Sequence, residues 1–193
     1  MIRETIQALV VCLITFVGCS VVYPATVWAL AHLAFPYESE GSLLQGRDRS
    51  VIGSELIAQP FASERYFASR PSAVNYKADA TGGSNLGGKN PALREQFTAR
   101  AGALQATTEN PAPTDLVMAS GSGVDPHIRV ESAHYQVSRV AAARGVPAGE
   151  VRSLVDRHVE RSGAILGAPP RINVLRLNLA LDETWPAARP ARP

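Results

Sequence analysis

TIQALVVCLITFVGCSVVYPATVWALAHLAFPY, residues 5–37, contains no Asp, Glu, Lys or Arg and is rich in Leu, Ile, Val, Ala and Phe. As a helix rising 1.5 Å per residue it would run roughly 50 Å, against the ~30 Å hydrocarbon core of a bilayer. Leu9, Val10, Val11, Leu13, Ile14, Phe16 and Val17 are apolar on every side, the pattern of a helix surrounded by lipid and not of a one-sided surface helix. Pro24 falls late in the run, where a kink is tolerable because freed backbone groups are re-satisfied locally. Trp28, His32, Phe35 and Tyr37 supply the rings expected at head-group level. A cleaved secretory signal is the rival reading, with Arg3 before the run and Ala29-Leu30-Ala31 as a cleavage site. Signal cores, however, run only about 7 to 15 residues. A lipoprotein signal at Cys19 fails too, because Val21-Val22-Tyr23 follows it where a polar tether belongs. The run therefore reads as a retained single-pass anchor.

Working outward, residues 1–5 form a short cytoplasmic N-terminus, 6–35 the membrane anchor and 36–50 a Gly/Ser linker. Residues 51–182 form one soluble α+β domain and 183–193 a Pro/Arg tail. With Arg3 before the anchor and Glu38 and Glu40 just after it, the bias of positive charge toward the cytoplasm places the N-terminus inside and the domain outside. Both cysteines, Cys12 and Cys19, lie in the anchor, so the domain holds no disulfide. A net charge of +2 with scattered signs argues against a nucleic-acid partner.

Within the domain, Val51-Ile52 and Leu56-Ile57 predict a strand ending at Pro60, beside the aromatic bulk of Phe61, Tyr66 and Phe67. Residues 72–89 have no periodicity and read as a glycine loop. Asn90-Pro91 then caps a helix over 91–105, with Leu93, Phe97, Ala101 and Leu104 at helical spacing. Thr114 to Met118 reads as a strand running into a Ser-Gly turn. Ala133, Val137, Val140 and Ala141 mark one helix, closed by Gly145 and Pro147. Val151, Leu154, Val155 and Val159 mark its antiparallel partner. Leu175, Leu177, Leu179 and Leu181 alternate with Arg176, Asn178 and Ala180, which predicts a half-buried strand. Strands flanking a group of helices, without strict alternation, give the α+β class.

Two stretches invite a chemical reading. Gly83 to Asn90 matches the phosphate loop G-x-x-x-x-G-K-S/T except at its last position, where Asn90 replaces the Mg²⁺-binding hydroxyl. Asp79-Ala80-Thr81 is also not the buried strand that such a loop leaves. Ser120, Ser122, Asp125 and His127 resemble hydrolase parts, but the elbow G-x-S-x-G is absent. Asp125-Pro126 serves equally as a turn. His134 and His158 lack the i,i+4 partner of a metal site. By residue pattern alone the chain is an anchored partner-binding module.

Several blocks nevertheless resemble the KdpC family, the small single-pass subunit of the bacterial potassium-transporting Kdp ATPase. They are Tyr66-Phe67-x-x-Arg70-Pro71-Ser72-Ala73, Gly82-Gly83-Ser84-Asn85-Leu86-Gly87, and Asp115-Leu116-Val117 with Ala119-Ser120-Gly121-Ser122-Gly123. Asp125-Pro126-His127-Ile128 and Asn173-Val174-Leu175 with Leu177-Asn178-Leu179-Ala180-Leu181-Asp182 complete the set. The resemblance implies a non-catalytic accessory subunit of a high-affinity potassium uptake complex, needed for assembly and raising the pump subunit's affinity for ATP. Its implied partners are a channel-like potassium-binding subunit, the P-type ATPase subunit and a small membrane peptide. It implies no catalytic residue and no metal in this chain. Gly82, Gly83 and Ser84 are the candidates for a nucleotide loop. Asn85, Ser120, Gly121, Ser122, Gly123, Asp125, Pro126 and His127 are family loops with structural or partner-binding roles. An outward domain would meet ATP only through the complex. Where Ser-Pro commonly opens the helix after Ile128, this chain has Arg129-Val130, a lost cap worth about 1 kcal/mol unless Asp125 starts the helix.

Overall fold

The computed structural model describes residues 2–46, 49–161, 163 and 167–186. The chain divides into two compact units, Met1–Ser54 and Glu55–Pro193, with helices and short strands mixed along it.

In the first unit, one apolar helix of 33 residues, Ile2–Ala34, is long enough to cross a membrane. It comprises α1 (Ile2–Val17), a π turn (Gly18–Val22) and α2 (Tyr23–Ala34). The local adjustment expected at Pro24 sits one turn earlier, because a proline lacks an N–H and its ring collides with the carbonyl four residues back. Widening the preceding turn relieves both problems, with the Tyr23 N–H donating to Gly18 O, five residues behind. Hydroxyls in this apolar segment satisfy themselves on their own helix: Thr15 Oγ1 donates to Val11 O at 2.7 Å and Thr26 Oγ1 to Val22 O at 2.8 Å. A single turn, α3 (Pro36–Ser39), follows. Part of the expected linker is then ordered as β1 (Leu43–Gln45), antiparallel to β2 (Val51–Ser54). The strand predicted up to Pro60 thus stops at Ser54. Ser54 Oγ, donating to Gly41 O at 2.7 Å, ties the hairpin to the turn before it.

The second unit centres on α6 (Val130–Arg144) and α7 (Ala148–Arg157), the expected helical hairpin. Gly145 makes the turn in a left-handed conformation, φ 69°. Ala133, Val137, Val140, Val151 and Val155 interdigitate with Phe67, Ile128, Ile172, Leu177 and Leu181 in one apolar core. α4 (Pro91–Ala103) starts as predicted, with Asn90 Oδ1 accepting from Ala92 N at 3.0 Å.

Two strand assignments are corrected. Thr114–Val117 is a single helical turn, α5, that buries Asp115, Leu116 and Val117. The Leu-rich stretch after Pro170 is a short strand, β4 (Arg171–Asn173), antiparallel to β3 (His127–Arg129), followed by helix α8 (Val174–Thr184). Helix wins because Asn173 Oδ1 accepts from Arg176 N at 3.1 Å as an N-cap, and after Val174 no β-branched residue precedes Thr184. The buried set is therefore Val174, Leu175, Leu177, Asn178 and Leu181, while Leu179 is only half-buried. α8 and Trp185, which packs on the core, also occupy the start of the expected tail; residues 187–193 lie outside the described residues.

Asn178, expected on the solvent side, is 2% exposed. Its Oδ1 accepts from Phe67 N and its Nδ2 donates to Phe67 O, both at 2.9 Å. On the neighbouring residue Gln136 repeats the pairing, accepting from Ala68 N at 2.7 Å and donating to Ala68 O at 3.2 Å. Asn178→Ala leaves two buried peptide groups unpaired and is expected to cost about 3 kcal/mol. Chemical denaturation of the full chain in detergent checks this; a loss no larger than that of an exposed substitution, under about 0.5 kcal/mol, contradicts the helical register.

Candidate functional site

The glycine loops singled out in the sequence meet. From the clamped Phe67-Ala68 segment the chain continues through Arg70, Pro71 and Ser72, each with a defined partner. Arg70 Nη1 donates to Asp125 Oδ2 at 3.1 Å and Nη2 to Ala119 O at 3.5 Å. Pro71 O accepts from Ser120 N at 2.9 Å. Ser72 Oγ accepts from Val74 N and Tyr76 N at 3.1 and 2.9 Å. Tyr76 Oη donates to Arg70 O at 3.0 Å, and burial raises its pKa above the ordinary tyrosine value.

The loop over 72–89 then lies backbone-to-backbone against residues 120–123. Gly82 N donates to Ser122 O at 2.8 Å. A Cβ on Gly83 would stand 2.9 Å from Gly121 O, and one on Gly123 would stand 2.5 Å from Val74 Cγ2 and 2.7 Å from Gly82 O. Gly123 is in addition at φ +73°. These glycines are thus explained by close approach of two chain segments. The hydroxyls close the same turn: Ser120 Oγ accepts from Gly123 N at 3.1 Å and Ser122 Oγ from Val124 N at 3.2 Å, with the two hydroxyls 3.2 Å apart. Ser84 is half-buried, Asn85 is exposed at φ 52°, and Lys89 is exposed in a turn. Residues 55–82 contain no strand to lead into the loop, so the phosphate-loop resemblance has no matching frame.

Asp125 caps a turn, its Oδ1 accepting from His127 N at 3.0 Å, and Pro126 O accepts from Val174 N at 3.0 Å. His127 does not meet the serines. Its Nε2 faces Glu160 Oε2 at 3.4 Å and its Nδ1 lies 3.9 Å from Asp125 Oδ1. Arg171 Nε reaches the same Glu160 oxygen at 3.6 Å. Burial, and next the charge of Arg171, lower the His127 pKa against the opposing pull of Glu160 and Asp125.

The cap expected to be missing at α6 comes from a distance. Asp115 Oδ2 accepts from Arg129 N at 2.8 Å and from Ser132 Oγ at 3.3 Å, so the carboxylate of α5 stabilises the positive end of α6. Asp125 instead serves β3. Sequence reasoning missed the residues that hold the first segment to the helices. Arg139 donates to Glu64 O and Tyr66 O, both at 2.9 Å. Arg144, whose side chain is fully buried, donates to Arg65 O at 2.7 Å and to Asp182 Oδ1 at 2.8 Å, and lies 5.0 Å from the Tyr66 ring centre. Tyr66 Oη donates to Asp182 Oδ2 at 2.8 Å. Burial, then this hydrogen bond, raises the Tyr66 pKa. One signal was available in the chain: Gln136 sits inside the apolar stripe Ala133, Val137, Val140.

Residues 5–183 match the model of the family KdpC, described as K+-transporting ATPase, c chain. A potassium-transporting ATPase KdpC subunit from Sorangium cellulosum is 51% identical over 168 residues, 83% of this chain and 87% of that one. That of Gloeobacter violaceus is 45% identical over 171 residues, covering 88% and 90%. That of Methylococcus capsulatus is 46% identical over 189 residues, covering 94% and 98%.

The loop contact predicts a graded set of alanine effects. Gly123→Ala combines a left-handed backbone with a collision and is expected to cost about 2 kcal/mol or more. Gly83→Ala should cost less, about 1 kcal/mol, and Gly121→Ala, whose Cβ would meet nothing within 4 Å, should stay within about 0.5 kcal/mol. Denaturation midpoints of the three variants check the order; equal effects would mean the loops do not dock this way.

Proposed function

Because the chain belongs to the KdpC family of potassium-transporting ATPase subunits, we propose that it is a non-catalytic accessory subunit. It is held by one membrane helix, and it assembles the uptake complex from outside the cytoplasm. The partners are a channel-like potassium-binding subunit, the P-type ATPase subunit that hydrolyses ATP, and a small membrane peptide. The observation that carries this reading is the union of the two glycine loops. Gly82 N is committed to Ser122 O of the opposite loop, and the amides of Gly123 and Val124 are taken by Ser120 Oγ and Ser122 Oγ of their own turn, which supports a scaffold role for these loops over an open nucleotide or acyl site. What is left is a rigid head on an anchor, suited to gripping larger neighbours. A raised ATP affinity of the pump subunit then reaches it as coupling between subunits, a free-energy difference of about 1–3 kcal/mol that needs no nucleotide on this chain.

Orientation follows from Arg3 before the helix and Glu38 and Glu40 after it. In cells carrying Ser39→Cys with Cys12 and Cys19 replaced by Ala, a membrane-impermeant maleimide should label the chain in intact spheroplasts. Labelling only after lysis would place the head inside and reopen direct nucleotide binding at Gly82, Gly83 and Ser84. Omitting this chain should abolish recovery of the complex and its potassium-stimulated ATP hydrolysis; full activity without it would end the assembly reading.

A further inference from the structure

The apolar helix carries a main-chain carbonyl that its own backbone does not pair. A regular α-helix would leave Ser20 O without a donor, because Pro24, four residues on, has no N–H. The π turn over Gly18–Val22 moves the shortage back by one residue. Tyr23 N donates to Gly18 O, so Cys19 O loses the donor four residues on. The residue five on is Pro24, which has none to give. Cys19 O therefore receives no N–H from the position that serves it in an α-helix or from the one that serves it in a π turn. Neighbouring hydroxyls do not make up for this, since Thr15 and Thr26 give theirs to Val11 O and Val22 O.

Depth makes this carbonyl matter. The uncharged run covers residues 5–37, which puts Cys19 two residues from its middle, about 3 Å along the helix axis. With the run centred in a bilayer, the carbonyl lies near the midplane of the ~30 Å hydrocarbon core. Lipid tails offer no donor there, and an unpaired main-chain group is costly in hydrocarbon. Cys19 and Ser20 are exposed on the helix surface, so a donor can reach this turn from outside. Gly18 points the same way by a separate route. Glycine inside a helix is unfavourable, and this chain does not require one here: a Cβ on Gly18 would meet nothing within 4 Å, and its φ is not positive. A small residue at this level does let the backbone of a second helix come close.

We propose that the widened turn Gly18–Val22 is the docking point for a transmembrane helix of a companion subunit, one that turns a side-chain O–H or N–H donor toward Cys19 O at mid-membrane. The inference rests on the reading of this chain as a subunit of a membrane complex, and it adds where and by what chemistry the anchor is gripped. Pro24 creates the acceptor by withholding its own N–H, so the helix displays a polar group that a straight apolar helix would hide. A second copy of this chain fits the turn less well, because its Thr15 and Thr26 hydroxyls are already committed to their own helix and its Cys19 carbonyl needs a donor as well.

The test reads the carbonyl itself. Cys12 and Cys19 are the two cysteines of the chain, so cysteine isotope-labelled at its carbonyl carbon gives two signals, assigned with Cys12→Ala. Solid-state NMR in lipid bilayers compares the full chain alone with the chain in complex with its unlabelled companion subunits. A carbonyl carbon moves downfield when its oxygen accepts a hydrogen bond, so the Cys19 signal should move downfield on assembly while that of Cys12, inside α1, stays in place. Pro24→Ala returns the missing N–H and favours the helix. It should bring the Cys19 signal downfield in the chain alone, abolish its movement on assembly, and lower the affinity of the companion subunits for the chain by roughly three- to tenfold. A Cys19 signal that stays in place in a recovered complex, or full affinity in Pro24→Ala, overturns the docking point alone. A downfield Cys19 signal in the unmodified chain alone that disappears on dilution with lipid overturns it in favour of a second copy. Failure of the unmodified chain to join its companions overturns the assembly reading, and the docking point falls with it.

Discussion

Phe67 and Ala68 belong to no helix or strand, yet Phe67 is fully buried in the core. A buried peptide group without a partner costs about 1–3 kcal/mol, so this segment can lie where it does only if something replaces the missing ladder. Two side-chain amides do so. Asn178 of α8 takes both polar groups of Phe67, and Gln136 of α6 takes both of Ala68. Because the two amides come from different helices, the pairing also fixes α6 and α8 against each other. Arg139 and Arg144 extend the same logic to Glu64, Arg65 and Tyr66 through their carbonyls. The segment is in effect a strand whose neighbours are side chains.

Everything that distinguishes the head hangs from the end of that segment. Arg70 carries the restraint to Asp125, Pro71 to Ser120, and Ser72 to the start of the glycine loop. The glycines then allow two loops to approach until backbone meets backbone, an approach a single methyl at Gly123 would prevent. Asp125 passes the restraint on to His127, and β3 returns it to α6, whose cap is supplied by Asp115. Residues that look in the sequence like fragments of a nucleotide loop and of a hydrolase are one continuous scaffold.

The apolar helix, the α6–α7 hairpin and the start of α4 were readable locally, because each is written in nearby residues. They show in an uncharged run beyond twenty residues, apolar positions three and four apart, and an Asn-Pro cap. The Leu-rich stretch after Pro170 was misread because Leu alternating with Arg, Asn and Ala satisfies a period of two as well as a helix with one buried amide. The misreading turned on Asn178, whose polarity suggests solvent while its partner stands 111 residues earlier. The loops were recognisable as unusual, but their meaning as mutual contacts was not, since neither loop contains the other's coordinates. Asp115 as the cap of α6, and Glu160 as the partner of His127, are non-local in the same way.

By itself, the order of residues determined that the chain has an N-terminal helix long and apolar enough to cross a membrane, that a mixed α+β head follows, and which signature blocks it carries, because hydropathy and helical periodicity act over a few turns. Tertiary structure alone decided that the last apolar element is a helix, that a buried asparagine and glutamine stand in for a strand, and that the glycines serve loop against loop. The physical reason is the need to pair buried polar groups, which is met by whichever residue the fold brings within 3 Å and not by the residue next in the chain.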